Sequence, residues 1–232
     1  MTPNPPPLEP TDLEAQLFAE GFATLPGLLA ARACAEAAAL WEADVFRKHV
    51  VMAAHGFGAG QYRYFADPMP PLVARLRADL YAALAPAANR WNEALGLPTR
   101  FPAALVDWRA ACAAAGQTKP TPLLLRYGPG DYNRLHQDLY GELVFPFQVI
   151  VLLSRPGVDF DGGRLVITEQ RARMQSRAEV IELAAGDAAV ICVRDRPLKG
   201  PRGWSRARLR HGVSTLRSGE RLTLGLIFHD AA

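Results

Sequence analysis

His136 and Asp138 stand two residues apart in the stretch Arg126-Tyr-Gly-Pro-Gly-Asp-Tyr-Asn-Arg-Leu-His136-Gln-Asp138. On a β-strand, residues i and i+2 share a face, so the pair is expected to grip one ion together. A second histidine, His211, lies far downstream, and Arg221 follows it by ten residues. Two histidines and one carboxylate on one side of an ion leave its other positions open, an arrangement suited to Fe(II) chemistry with dioxygen. A 2-oxo acid can fill two of those positions, and the far carboxylate of 2-oxoglutarate then needs a fixed cation. A guanidinium meets a carboxylate with two parallel hydrogen bonds, which fits Arg221. Thr223 shares the strand face of Arg221 and adds a hydroxyl donor.

Each residue alone has an ordinary explanation. His136 and Asp138 read as a polar pair at a strand end, His211 as a satisfied histidine beside a basic run, Arg221 as an exposed strand residue. Together they answer separate needs of one reaction, which chance does not require. Among weaker candidates, Gln148 opens the run Gln-Val-Ile-Val-Leu-Leu and reads either as facing the pocket or as a sheet-edge glutamine, with Tyr140 and Glu142 placed at a substrate entrance. Residues 194–210 carry seven basic side chains and read as a loop and strand near the site mouth. Arg194 would there help to seat an anion and Trp204 would stack on a planar group. A solvated loop, its arginines paired with acids elsewhere, is the plainer account of that segment. His229-Asp230 reads as surface, and His49 and His55, lacking partners at useful spacing, as structural.

These side chains need a scaffold. Residues 1–10 are proline-rich and expected to form an extended tail. Asp12 is a candidate cap for a helix bearing Leu13, Leu17 and Phe18. A short strand is expected at 22–26, an alanine-rich helix over 30–47 and another short strand at 62–65. From Leu72 a longer helix carries Leu72, Leu76, Leu80 and Leu84, pausing at Pro86 and resuming towards Leu95. That stripe serves the core or a face between two copies, a homodimer. A last short helix covers 102–115, and Gly116 ends it. Beyond Lys119-Pro-Thr-Pro122, helical spacing gives way to short apolar runs at 122–127, 145–153, 164–168, 179–183, 188–193, 209–215 and 221–228. Strands without intervening helices indicate an antiparallel sandwich or jelly roll. The expected architecture is therefore α+β: a helical layer over 11–118 against a β-core over 119–232, one composite domain.

The pattern His136-x-Asp138, a distal His211 and a basic residue ten positions on resembles the Fe(II)/2-oxoglutarate-dependent dioxygenase superfamily, whose fold is a double-stranded β-helix (jelly roll). Gly219, two before Arg221, and Tyr127-x-x-Gly130-x-Tyr132 are similar to its prolyl-hydroxylase branch. Asp161-Gly-Gly163 and Gly186-Asp187 resemble turns of the superfamily. His136-Gln-Asp138 is similar to the AlkB type, and Tyr127 matches a 2-oxoglutarate-binding tyrosine there. Where that type carries a second arginine, this chain has Ile227. The wider stretch Leu-Leu-Arg-Tyr-Gly-Pro-Gly-Asp-Tyr…His-Gln-Asp-Leu-Tyr-Gly-Glu resembles a bacterial oxygenase group described, by analogy, as acting on damaged nucleic acid. The resemblance covers about 120–232. It implies Fe(II) held by His136, Asp138 and His211, and 2-oxoglutarate held by Arg221, Thr223 and Tyr127. Dioxygen is the implied co-substrate and ascorbate a stimulatory reductant. The implied reaction hydroxylates a C–H bond of a protein side chain or small molecule, releasing succinate and CO2. Two other readings stand beside it. One is oxidative demethylation of alkylated nucleic acid by the same chemistry; the other is a cupin-like jelly roll that binds metal without oxidation, which leaves Arg221 and Thr223 without a purpose.

Composition bounds the rest. Half of the 232 residues are hydrophobic and 21% are charged, ordinary for a globular chain. A net charge of +3 does not demand a nucleic-acid partner. No apolar run approaches membrane-spanning length, and the first residues lack a signal-peptide pattern. Cys34, Cys112 and Cys192 lie far apart with no Cys-x-x-Cys, which fits reduced thiols and a cytoplasmic location.

Overall fold

A computed structural model of the chain describes residues 10–232; most of the expected tail falls on 1–9, outside the described residues. In chain order the helices are α1 (Pro10–Glu20), α2 (Ala31–Ala39), α3 (Pro71–Ala94) and α4 (Leu105–Ala114). The early strands are β1 (Phe22–Leu25), β2 (Phe46–Val51), β3 (Gly58–Ala59) and β4 (Gln61–Phe65). Then come β5 (Leu123–Tyr127), β6 (Tyr132–His136), β7 (Phe147–Leu152), β8 (Phe160–Gly162), β9 (Leu165–Arg171) and β10 (Arg177–Ile181). The last are β11 (Ala188–Cys192), β12 (Asp195–Gly200), β13 (Gly203–Val213), β14 (Leu216–Gly219) and β15 (Arg221–Ile227).

The strands pair antiparallel into two main facing sheets of an α+β jelly roll, with β8 and β14 forming a separate two-stranded sheet. One runs β1-β11-β7-β15-β5-β4-β2; the other runs β10-β9-β13-β6-β3, with β12 beside β13. β15 lies mid-sheet and every residue of it is buried. Its alternation explains why: Leu222, Leu224 and Leu226 enter the main core, while Arg221, Thr223 and Ile227 line a cavity between the sheets. On the core side, α3 buries Leu80, Tyr81, Leu84, Ala88 and Trp91. The Trp91 ring meets Phe18 and Phe147 edge-on at 5.1 and 5.0 Å, and its Nε1 donates to the Asp195 carbonyl at 2.9 Å. Burying an aromatic side chain of this size contributes roughly 2–3 kcal/mol.

Several local expectations change. The alanine-rich helix stops at Ala39 with a 3-10 turn at Leu40–Glu42, and residues 46–51 are strand. Val50 is buried and the Phe46 ring stacks on Phe65 at 4.8 Å, so pairing with β4 decides the conformation there. α3 continues unbroken through Pro86, with buried residues on both sides of the proline in the hydrophobic core. Asp12 lies inside the first turn of α1 and does not precede it. The N-terminal region is not helical throughout: β1 pairs β11 and β4 pairs β5, so its strands extend the core sheet at both edges. Leu72, Leu80 and Leu84 are consumed by the core of the single chain. His229 and Asp230 are buried as well. The Asp230 carboxylate accepts from Arg77 at 2.6 Å and from Arg109 at 2.9 Å, and burial among these cations explains its inward position.

Candidate metal and co-substrate site

β6 and β13 are hydrogen-bonded neighbours, and their register sets His136 opposite His211, with ring centroids 4.3 Å apart. Asp138 lies beyond the end of β6, so a turn out of the strand, and not alternation along it, returns its carboxylate to the histidines. Asp138 Oδ2 is 3.3 Å from His211 Nε2, and Oδ1 is 3.6 Å from His136 Nε2. The three ligand atoms lie within 4.8 Å of one another. Donors about 2.1 Å from one metal at right angles stand about 3 Å apart, so small closure suffices.

Protonation also suits an ion. The Arg134 carbonyl accepts from His136 Nδ1 at 2.7 Å, which leaves Nε2 with its lone pair turned to the site. Burial, together with His136, pushes the His211 pKa down against the pull of Asp138. Burial raises the Asp138 carboxyl, but its hydrogen bond with His211, the charges of both histidines and the Tyr140 hydroxyl outweigh this and hold it well below the usual carboxylate range. Burial thus disfavours the charged form of His211 while Asp138 is held ionised, and a divalent metal needs an imidazole lone pair and a carboxylate.

The cavity holds 390 Å³, mostly between apolar walls such as Leu125, Val149, Ile150 and Leu165. Arg221 enters it from β15, opposite Tyr127 on β5, and is only 3% exposed. Burial pushes its pKa down to about 10, with only Tyr127 opposing the shift; no acidic side chain among the described residues neutralises it. The guanidinium carbon stands 5.7 Å from the Tyr127 ring centre. Tyr127 is itself buried, which pushes its phenol up to about 12. Gly60 makes room for that ring: its φ is +120°, and an added Cβ would stand 2.8 Å from Tyr127 Cδ1. Thr223 is buried beside Arg221 on the same face. A desolvated guanidinium without a counter-ion, next to a buried hydroxyl, fits an incoming carboxylate.

Of the weaker candidates, Tyr140 and Gln148 line the cavity. The Tyr140 hydroxyl donates to Asp138 Oδ1 at 2.7 Å, and Gln148 Nε2 lies 3.0 Å from His211 Nε2. Arg194, Trp204 and Glu142 are not among the lining residues. The basic segment is a hairpin, β12–β13, and not a loop at the mouth. Along β13, exposed Arg206, Arg208 and Arg210 alternate with buried Ala207, Leu209 and His211, so the arginines turn outward while the histidine turns inward. Trp204 sits at the far end of the hairpin, 48% exposed and 6.2 Å from the Phe18 ring. Arg194 is exposed with Asp195 at 3.5 Å, and Arg196 is buried on Glu169. Tyr62 and Asn133 line the cavity without having been singled out by spacing. The alternation Tyr62-Arg-Tyr64 was the available signal for an inward pair of phenols.

Residues 60–231 match the Oxygenase-NA family, described as an oxygenase catalysing oxidative methylation of damaged DNA. The Mycobacterium tuberculosis protein Rv2227 is 51% identical over 168 residues, 72% of either chain. Among solved structures, a Pseudomonas putida prolyl-4-hydroxylase aligns with 16% identity and a TM-score of 0.56, covering 96% of this chain and 99% of its own. A 2OG-Fe(II) oxygenase family oxidoreductase from Burkholderia pseudomallei gives 20% and 0.57, covering 96% and 93%. A Trichoplax adhaerens prolyl hydroxylase in complex with a hypoxia inducible factor peptide gives 13% and 0.60, covering 95% and 89%. At these identities the structural likeness is one of fold. The family match takes in most of the chain, most strands of both sheets and every residue of the His136–Asp138–His211 cluster, and the chain therefore belongs to the Oxygenase-NA family; the solved structures share its fold.

Proposed function

We propose that the protein is an Fe(II)- and 2-oxoglutarate-dependent dioxygenase in which His136, Asp138 and His211 hold the metal and Arg221, Thr223 and Tyr127 hold the co-substrate. The observation that carries this reading is Arg221, a buried cation inside an apolar cavity with no acid among the described residues to neutralise it. A metal-binding jelly roll without oxidative chemistry has no use for it. Bound there, iron and 2-oxoglutarate supply the oxidising power that places one atom of dioxygen on a substrate C–H bond, with succinate and CO2 as co-products.

The chain's own residues bind, orient and exclude water. Arg221 offers two parallel donors to the distal carboxylate, with the Thr223 hydroxyl beside them. The bond from His136 Nδ1 to the Arg134 carbonyl fixes that ring's tautomer and orientation. Leu125, Val149, Ile150 and Leu165 keep the cavity dry, which strengthens the charge contacts within it.

For the primary substrate we favour a protein side chain or small molecule, because Arg194 and Trp204 do not line the cavity and the arginines of β13 face outward. The family's description as acting on damaged DNA supports the second reading. By this chemistry an N-methyl group would be removed through hydroxylation and not added.

Anaerobic titration with Fe(II) and 2-oxoglutarate tests the cofactor assignment. A visible charge-transfer band is expected in the wild type and absent in Arg221→Ala. Bound iron without any band sinks the oxygenase reading. Succinate release with a methylated oligonucleotide, set against a peptide library, separates the substrate readings.

A further inference from the structure

The Asp138 carboxylate is held from behind by phenols. Tyr140 donates to Oδ1 at 2.7 Å, and Tyr64 donates to the Tyr140 oxygen at 3.2 Å. The direction of these bonds matters. With its oxygen accepting from Tyr64, the Tyr140 hydroxyl has a single proton to give, and Asp138 is the acceptor in reach. The two rings pack edge to face, centroids 6.3 Å apart, and the Arg47 guanidinium lies over the Tyr64 ring at 4.7 Å. The second donor therefore comes from β4, with β2 behind it, both in the N-terminal region.

Oδ2 is the oxygen nearer His211, and it accepts no bond from Tyr140. We infer that Tyr140, oriented by Tyr64, is a positioning residue that occupies Asp138 Oδ1 and so presents Oδ2 alone to the metal. This rests on the proposed metal site and gives Tyr140 a role other than substrate contact. A carboxylate pinned at one oxygen ligates through the other. That would leave one more coordination position open than a chelating carboxylate, and on the proposed reading 2-oxoglutarate or dioxygen would use it. Outer-sphere partners of this type typically change metal affinity about 10- to 100-fold.

The test is calorimetric titration of the full chain with Mn(II), beside the visible spectrum of the Co(II)-loaded protein, for wild type, Tyr140→Phe, Tyr64→Phe and His136→Ala. Tyr140→Phe is expected to weaken Mn(II) binding about tenfold or more. It should also dim the Co(II) bands as the freed carboxylate chelates, while the metal-free protein melts at the wild-type temperature. Tyr64→Phe should shift both readouts the same way by less. Wild-type affinity and spectrum in Tyr140→Phe overturn the inference. If Tyr140→Phe fails to fold, Tyr64→Phe decides, and an unshifted Tyr64→Phe overturns it. A wild type that binds no Mn(II), or His136→Ala binding as tightly as wild type, sinks the metal site itself and this role with it.

Discussion

Arg221 carries its charge in a place that penalises charge. Burial pulls its pKa to about 10, so it remains cationic at neutral pH while the folded chain bears the desolvation cost. Replacing such a group by an apolar residue of similar length is often neutral or stabilising. Arg221→Met is therefore expected to raise the stability of the ligand-free protein by about 1–3 kcal/mol. It should also abolish the stabilisation that 2-oxoglutarate gives the metal-loaded wild type. Urea melts with and without 2-oxoglutarate check both halves. His229 shows the opposite economy, a buried imidazole kept neutral, with burial pushing its pKa down to about 4. The sign follows from proton uptake. Between pH 6.5 and about 4 the unfolded chain protonates this histidine and the native chain does not, so native stability falls as pH falls through that window and the loss levels off below about 4. His229→Gln should flatten the apoprotein's melting temperature against pH over that range. An unchanged slope would assign the acid sensitivity to other groups.

Neighbouring strands set the spacing of the proposed metal ligands. Gly212 sits in the β13–β6 irregularity, between His211 and Val213, and an added Cβ would stand 2.6 Å from the Asn133 carbonyl oxygen. Gly212→Ala is expected to push β6 outward, costing about 1–3 kcal/mol, and to weaken metal binding through His136. Thermal melts and Mn(II) titration report the two effects, and wild-type affinity would show that the close approach is dispensable. The same contrast explains what the sequence made legible. The jelly-roll strands β5, β7, β9, β11 and β15 stand out as apolar runs because they are buried on one or both faces. The His136, Asp138, His211 and Arg221 cluster was legible because each residue type answers a distinct chemical demand. β2 and β12 were not anticipated as strands, and the strand assumed to carry His136 and Asp138 ends at His136: charged or polar residues give these segments no apolar pattern, and pairing with a neighbour gives them their shape. The outward turn of the β13 arginines was equally hidden, since register decides it.

At the scale of the whole molecule, one buried carboxylate ties the helical layer to the end of the central strand. Asp230, just past β15, accepts from Arg77 of α3 and Arg109 of α4, and Arg109 also reaches Asp67 at 2.5 Å. Asp230→Ala strands Arg77, which is 1% exposed, and is expected to cost about 3–5 kcal/mol, read by denaturant unfolding. A variant within about 1 kcal/mol of wild type would mean that the layer is held by apolar packing alone. The seven-stranded sheet has a further consequence, for the order in which the molecule can be made. β1 takes its place beside Ile191, and the amide of Gly27 donates to Asp187 across 160 positions of chain. On a ribosome adding 5–20 residues per second, the first strand waits on the order of ten to thirty seconds for its neighbour to exist. Until then its apolar face has no native cover, and the nascent chain is a natural client for a chaperone that holds without folding.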